Sequence, residues 1–236
     1  MRDGWIVVTG ASRGIGAAIA ADLARRGARV AALSRSGDAP AGTRAIACDI
    51  SDETAIAAAF AGLAAEGAIA GLVNNAGQHR SGASASLATQ EFDALMRLNA
   101  TSVFVASRIA HPHLVAAGGG LIVNIGSFFD KYGVPGQMAY CASKAAVGAI
   151  TRCLAVEWAR DNIRAINVAP GYVETDLNRD WLAGEGARKF LARRVPLGRA
   201  AQADEVARLV GALFAEDIPY LTGETIYIDG AQGQNH

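Results

Sequence analysis

Cysteine is scarce and poorly placed for cross-linking or metal binding: Cys48, Cys141 and Cys153 are odd in number, and no two stand at CxxC spacing. That pattern fits a reducing compartment, with the three thiols reading as small buried or half-buried side chains and with no metal site. Neither sign of charge is in excess, with 22 Lys+Arg against 22 Asp+Glu, and no basic cluster stands out. This argues against a nucleic-acid or anionic-membrane surface. No apolar run reaches the roughly 18 residues of a membrane span. A strand pattern that opens by Trp5 differs from a signal peptide. The expectation is a soluble, cytoplasmic protein with no nucleic-acid and no membrane partner.

What is present is apolar and periodic. Of the 236 residues, 51% are hydrophobic, enough for a substantial core and too many for disorder. Short apolar runs read as strands at 5–9, 29–33, 45–47, 71–73, 121–125, 164–168 and 224–228. Alanine-rich stretches at 15–26, 53–65, 90–98, 101–117, 142–160 and 204–214 read as helices. Fully apolar strands alternating with helices predict a parallel sheet covered on both faces. With right-handed crossovers this is an α/β fold, a single-domain Rossmann-type doubly wound sheet of about seven strands over residues 1–236. The least regular stretch, 174–201, is charged and contains Trp181 and Phe190; it reads as a substrate lid.

The first strand runs into Gly10-Ala11-Ser12-Arg13-Gly14-Ile15-Gly16, and a helix follows. Glycines permit a tight turn and close approach of a phosphate, and the helix N-terminus offers free N–H groups and partial positive charge. A nucleotide pyrophosphate fits that loop. About 20 residues on, an acid would bind a ribose 2′-hydroxyl and select NAD. Ser34 and Arg35 stand there instead, and Asp38 lies beyond the strand end in a Gly/Pro loop. Arg35 with Arg13 suits a 2′-phosphate, so the expected cofactor is NADP(H); the alternative is that both are solvated surface arginines.

Ser127 follows the 121–125 strand, and 13 residues later comes Tyr140-Cys141-Ala142-Ser143-Lys144. Tyr140 and Lys144 are i and i+4, on one face of a predicted helix. A nearby ammonium stabilises phenolate, so Tyr140 is expected to have a lowered pKa and to exchange a proton with a carbonyl or alcohol oxygen. Ser127 can hydrogen-bond the oxygen on which charge develops.

Together these motifs resemble the short-chain dehydrogenase/reductase family, nearest its 3-oxoacyl-carrier-protein reductase branch. The glycine loop, Asn74-Asn75-Ala76-Gly77, Asn99, Ser127, Tyr140, Lys144, Pro170-Gly171 and the closing Thr222-Gly223 and Asp229-Gly230 stand in the family's order and spacing over nearly the whole chain. The resemblance implies that Tyr140 is the acid/base and Ser127 orients the oxygen. Lys144 would lower the Tyr140 pKa and hold the nicotinamide ribose, and Asn99 would anchor a water linking Lys144 to solvent. It further implies that Asp49 and Ile50 meet the adenine, that Asn75, Ala76 and Gly77 line the cofactor groove, and that Val173 and Thr175 contact the nicotinamide carboxamide. The family is usually tetrameric or dimeric, which implies a homo-oligomer.

One departure is local. Phe128 and Phe129 follow Ser127, where they either line a pocket for an apolar or aromatic substrate or pack in the core or a subunit contact. His79 follows the Asn-Asn-Ala-Gly turn within reach of such a pocket. His111 and His113 have HxH spacing but no evident third ligand, which favours a surface or oligomer role. Trp158 reads as buried between helices, and the terminal His236 as mobile. The leading expectation is an NADPH-dependent carbonyl or 3-oxoacyl reductase acting on a small molecule. The alternatives are an NAD(P)+-dependent alcohol or dihydrodiol dehydrogenase, and a catalytically idle nucleotide-binding regulator.

Overall fold

The computed structural model describes residues 2–176 and 178–234; His236 lies outside the described residues. The elements run β1 (Trp5–Thr9), α1 (Gly14–Arg25), β2 (Arg29–Ser34), β3 (Arg44–Ala47), α2 (Glu53–Ala64), β4 (Ile69–Asn74), α3 (Thr89–Met96), α4 (Ser102–Ala116), β5 (Gly120–Ile125), α5 (Met138–Glu157), β6 (Ile163–Pro170), β7 (Val173–Glu174), α6 (Arg179–Ala183), α7 (Glu185–Arg194), β8 (Ala201–Gln202), α8 (Ala203–Glu216) and β9 (Thr225–Ile228).

Seven strands form one parallel sheet in the order β3-β2-β1-β4-β5-β6-β9. Alternate side chains of a strand point to opposite faces. In β1, Ile6 and Val8 pack with Ile19 and Leu23 of α1 and Val206, Val210 and Phe214 of α8. Trp5 and Val7 pack with Phe60 of α2, Leu114 of α4 and Leu154 of α5 on the other face. Both faces are thus buried, which is why the strands read as continuous apolar runs rather than as alternating ones. The chain order reverses between β1 and β4, and at such a switch point the loops leaving the strand ends part to form a crevice.

Three elements differ from the sequence expectation. Helix α5 begins at Met138, a turn earlier than 142, so Tyr140 already lies inside it. Within 174–201, read from the sequence as loop and helix, β7 and β8 add a two-stranded parallel sheet, with α6 and α7 between them. Leu182, Leu191, Val195 and Ala200 bury a small core of their own against Tyr172. Their spacing is broken by Gly184 and Gly186 and diluted by charge, which hides it in the sequence. Finally, α3 and α4 are joined without a loop by a π-type turn, Arg97–Thr101.

Candidate active site

The crevice is built from two loops tied across the switch point. The Thr9 hydroxyl accepts from the backbone N–H of Asn75 (3.0 Å) and of Ala76 (3.1 Å). In return, Asn75 Nδ2 donates to the carbonyls of Thr9 (3.0 Å) and Gly10 (3.1 Å). Gly10 sits at φ +65° and Gly14 at φ +58°, the left-handed region that glycine adopts without strain. At Gly16 a Cβ would fall 2.3 Å from both the Gly10 carbonyl oxygen and Asn75 Nδ2. Helix α1 then starts with Arg13 as its N-cap and no capping side chain, so the first-turn N–H groups remain available to an anion. This bare, Cβ-free cradle fits a dinucleotide pyrophosphate, and Ser12 and Arg13 stand exposed at its rim.

At the end of β2, Ser34 is buried and its hydroxyl donates to the Asp38 carbonyl (2.9 Å), so it shapes the loop that presents exposed Arg35. Hydrogen bonds from the Ser51 backbone and hydroxyl, with a smaller contribution from Arg35, hold the Asp49 carboxyl below its usual value. Ile50 beside it is buried. Across the crevice, β6 ends at Pro170, and the Gly171 N–H donates to Ile228 (3.0 Å). A Cβ on Gly171 would fall 2.8 Å from Asp229 Cα, and one on Gly14 would meet Thr175 Cγ2 at 3.5 Å. The segment carrying buried Val173 and Thr175 therefore closes over the glycine loop, where Asn178 Oδ1 accepts from the Thr175 N–H (2.8 Å).

The chemistry-bearing side chains gather at the ends of β4 and β5. Ser127 is buried and its Oγ accepts from the Phe129 N–H (3.3 Å). Lys144 is buried, and its Nζ donates to the Ile125 carbonyl (2.8 Å). Asn99, placed by the π-type turn, accepts from the Gln78 N–H (2.8 Å) and donates to the Gln78 carbonyl (2.9 Å) and to Ser143 Oγ (3.1 Å). A Cβ on Gly77 would lie 3.2 Å from Asn99 Oδ1 and 3.8 Å from Lys144 Nζ, so both groups border that glycine. Thr9, Gln78 and Ser143 carry no local sequence signal of a role; each acts through hydrogen bonds to residues distant in sequence.

Burial pushes the Tyr140 phenol above its usual value, against a hydrogen bond with Ser127 that lowers it and a smaller upward push from Cys141. Burial also brings Lys144 down to about 8. The direction at Tyr140 is opposite to the sequence expectation. The physical reason is that burial dominates at Tyr140, while Lys144 directs its amine at Ile125, with Nζ 5.8 Å from the Tyr140 ring centroid. Tyr140 thus stands protonated, beside a serine hydroxyl able to hydrogen-bond the same substrate oxygen.

Aromatic rings enclose this point. His79 meets Tyr140 edge-on, with centroids 4.9 Å apart, and Phe129 does so at 5.7 Å. Phe128 is buried behind Phe129 (4.4 Å) and touches Tyr172, which leads through Phe190 to Trp181. Of the two readings of the phenylalanine pair, packing holds for Phe128, while half-buried Phe129 faces Tyr140. The remaining histidines go elsewhere. His111 bonds Asp161 (2.9 Å) and packs on half-buried Trp158, while His113 stacks on Phe60.

Among the described residues, no helix is long and apolar enough to cross a membrane. The family described as enoyl-(acyl carrier protein) reductase matches residues 10–231. The 3-oxoacyl-(acyl-carrier-protein) reductase MabA of Mycobacterium tuberculosis is 35% identical over 234 residues, which is 98% of this chain and 93% of that one. A 2-(R)-hydroxypropyl-CoM dehydrogenase of Xanthobacter autotrophicus is 35% identical, covering 95% of this chain and 96% of its own. A crystal structure of a gluconate 5-dehydrogenase from Burkholderia cenocepacia, in complex with NADP and tartrate, superposes with a TM-score of 0.91 at 31% identity, over 100% of this chain and 97% of that chain.

Proposed function

Because the chain belongs to the short-chain dehydrogenase/reductase family, whose members are oxidoreductases that bind nicotinamide cofactors, we propose that it is an NADPH-dependent carbonyl reductase that turns a ketone into a secondary alcohol. The observation that carries this reading is convergence. Strand β5, helix α5 and the π-type turn bring Ser127, Tyr140, Lys144 and Asn99 to one end of the sheet, beside the glycine loop at the switch point.

In this reading the cradle of Gly10, Gly14, Ile15 and Gly16 holds the cofactor pyrophosphate at the start of α1, and Asp49 and Ile50 meet the adenine. Arg13 and Arg35, both exposed, bind the 2′-phosphate. Asn75, Ala76, Gly77, Pro170, Gly171, Val173 and Thr175 line the nicotinamide half. When bound, NADPH supplies the hydride that reduces the carbonyl carbon and leaves as NADP+. Tyr140 gives its phenolic proton to the carbonyl oxygen, and Ser127 donates a hydrogen bond to the same oxygen as negative charge grows on it. Lys144 stabilises the phenolate left behind, and Asn99, held by Gln78 and Ser143, orients the route by which a proton returns. The segment 174–201 acts as the lid of a single domain. A phenol raised by burial stands protonated at neutral pH, the form in which it can give its proton to a carbonyl oxygen.

The test is initial-rate oxidation of NADPH and NADH by wild type and Tyr140→Phe on a panel of ketones and 3-oxoacyl thioesters. Turnover with NADPH that Tyr140→Phe lowers by on the order of a thousandfold, with NADPH binding intact, supports the reading. Turnover retained by Tyr140→Phe overturns it.

A further inference from the structure

The rings around Tyr140 form a slot. His79 and Phe129 lie 21° from parallel with centroids 6.5 Å apart. Each stands nearly perpendicular to Tyr140, at 75° and 85° respectively. Two nearly parallel walls thus rise from a floor that carries the proton-donating hydroxyl. The walls are held differently. Phe129 is backed by buried Phe128 at 4.4 Å and cannot recede. His79 is exposed, but it follows Gln78, whose N–H and carbonyl are both bonded to Asn99. Its backbone is therefore anchored at one end while its ring is free to swing.

A flat group between two rings needs about 7 Å, twice the ~3.5 Å contact distance of carbon atoms. Rings in such a sandwich have centroids about 7 Å apart, close to the 6.5 Å between His79 and Phe129, and the exposed histidine ring can shift to take a guest. A puckered or branched group is thicker and requires more. A polyol fits poorly for another reason: ring faces leave its hydroxyls without hydrogen-bond partners.

Resting on the carbonyl-reductase reading, and narrowing it, we propose that the substrate is a ketone bearing a planar aromatic ring next to the carbonyl, held between His79 and Phe129 with its oxygen at Tyr140 and Ser127. His79 and Phe129 are then specificity-determining residues, while Tyr172, Phe190 and Trp181 continue the apolar wall into the lid.

The test compares acetophenone with cyclohexyl methyl ketone, which has the same skeleton but a puckered ring. Wild type is expected to favour acetophenone by about tenfold in kcat/KM, and Phe129→Leu or His79→Ala to lower the acetophenone value by about fivefold, the range an aromatic contact supplies. Cyclohexyl methyl ketone should fall less than acetophenone, so that the preference for the flat ring shrinks several-fold. Because Leu keeps most of the Phe volume and His79 lies on the surface, at least one variant tests the slot in a folded protein. Equal rates on the two ketones, or a parallel fall on both, overturn the slot while leaving carbonyl reduction standing. Calorimetric binding of benzamide and cyclohexanecarboxamide to the NADP+-saturated protein separates the opposite case. If no ketone is reduced but benzamide binds more tightly, and Phe129→Leu removes that preference, the slot stands and the reductase reading falls. No preference between the two amides overturns the slot whether or not turnover is seen.

Discussion

The amine of Lys144 donates to the carbonyl of Ile125 across 2.8 Å, at the last residue of β5 and out of contact with water. One neutral acceptor does not replace the hydration of an ammonium, so burial brings the Lys144 pKa from 10.5 down to about 8. A lysine with a depressed folded-state pKa penalises folding below that value, because the unfolded chain binds the proton more strongly. The penalty fades as pH rises from about 8 to 10.5, where the unfolded chain also loses the proton. Lys144→Met removes the group and should therefore gain stability over wild type at pH 7, with the gain shrinking by about 2–3 kcal/mol by pH 10. Urea unfolding of both proteins at the two pH values measures it. A difference that stays flat with pH means that Lys144 is not strained by burial.

Ser143 is fully buried, and its hydroxyl donates to the Tyr140 carbonyl (2.8 Å) while accepting from Asn99 (3.1 Å). It is a positioning residue: it joins the helix that carries Tyr140 to the turn that carries Asn99. Ser143→Ala should cost about 1 kcal/mol in stability and lower kcat several-fold with KM for cofactor unchanged, since Asn99 keeps both bonds to Gln78. Ser143→Thr, which retains the hydroxyl, should recover part of the loss in kcat. Equal damage to kcat and to cofactor KM would mean that Ser143 serves only the packing of α5.

Much of this architecture was legible in the sequence because the physics behind it is local. Strands buried on both faces are apolar throughout, and the i, i+4 spacing of Tyr140 and Lys144 reports a shared helix face at any register. The start of α5 was less legible, because Gly133, Pro135 and Gly136 are loop formers and Gln137 caps without a side-chain bond. The helices within 174–201 were less legible because few apolar side chains of that charged stretch, Leu182, Ala187, Leu191, Val195 and Ala200 among them, turn inward. The roles of Thr9 and Ser143 depend on partners 66 and 44 residues away, a separation that no local pattern encodes. The direction of the Tyr140 shift was hidden for a similar reason: spacing shows that Lys144 is near, but not that its amine turns toward Ile125 or that burial of the phenol outweighs it.

In the proposed reading cofactor choice rests on the end of β2, where the hydroxyl of buried Ser34 is bonded to the Asp38 carbonyl and Arg35 is exposed. Arg35→Asp puts a carboxylate where ribose hydroxyls would donate to it and a 2′-phosphate would be repelled. The ratio of kcat/KM for NADPH to that for NADH should fall by on the order of tenfold to a hundredfold, the worth of one or two charge-assisted hydrogen bonds. An unchanged ratio would falsify the assignment of Arg35 to the phosphate.

Two glycines with equally little room should respond differently to alanine. At Gly16 the added carbon would stand 2.3 Å from the Gly10 carbonyl oxygen, a backbone atom in a turn already fixed by Asn75. It can be accommodated only by moving the glycine loop away from α1. Gly16→Ala should therefore cost about 1–3 kcal/mol in stability and raise the KM for cofactor by an order of magnitude or more. At Gly211 in α8 the added carbon would stand 2.1 Å from Asp22 Oδ2 and 2.5 Å from Arg26 Nε, side-chain ends on α1 and its C-cap. Buried Asp22 loses its bond to Arg26 (2.6 Å) when they give way, so Gly211→Ala should also destabilise by a comparable amount. The strain there lies between α8 and the C-terminal end of α1, away from the loop, so the cofactor KM should remain that of wild type. Thermal unfolding paired with cofactor titration of the two variants distinguishes the sites. If Gly211→Ala raised the cofactor KM as much as Gly16→Ala, the loop would be responding to the stability of α1 as a whole, and the close approach at Gly16 would lose its special place in cofactor binding.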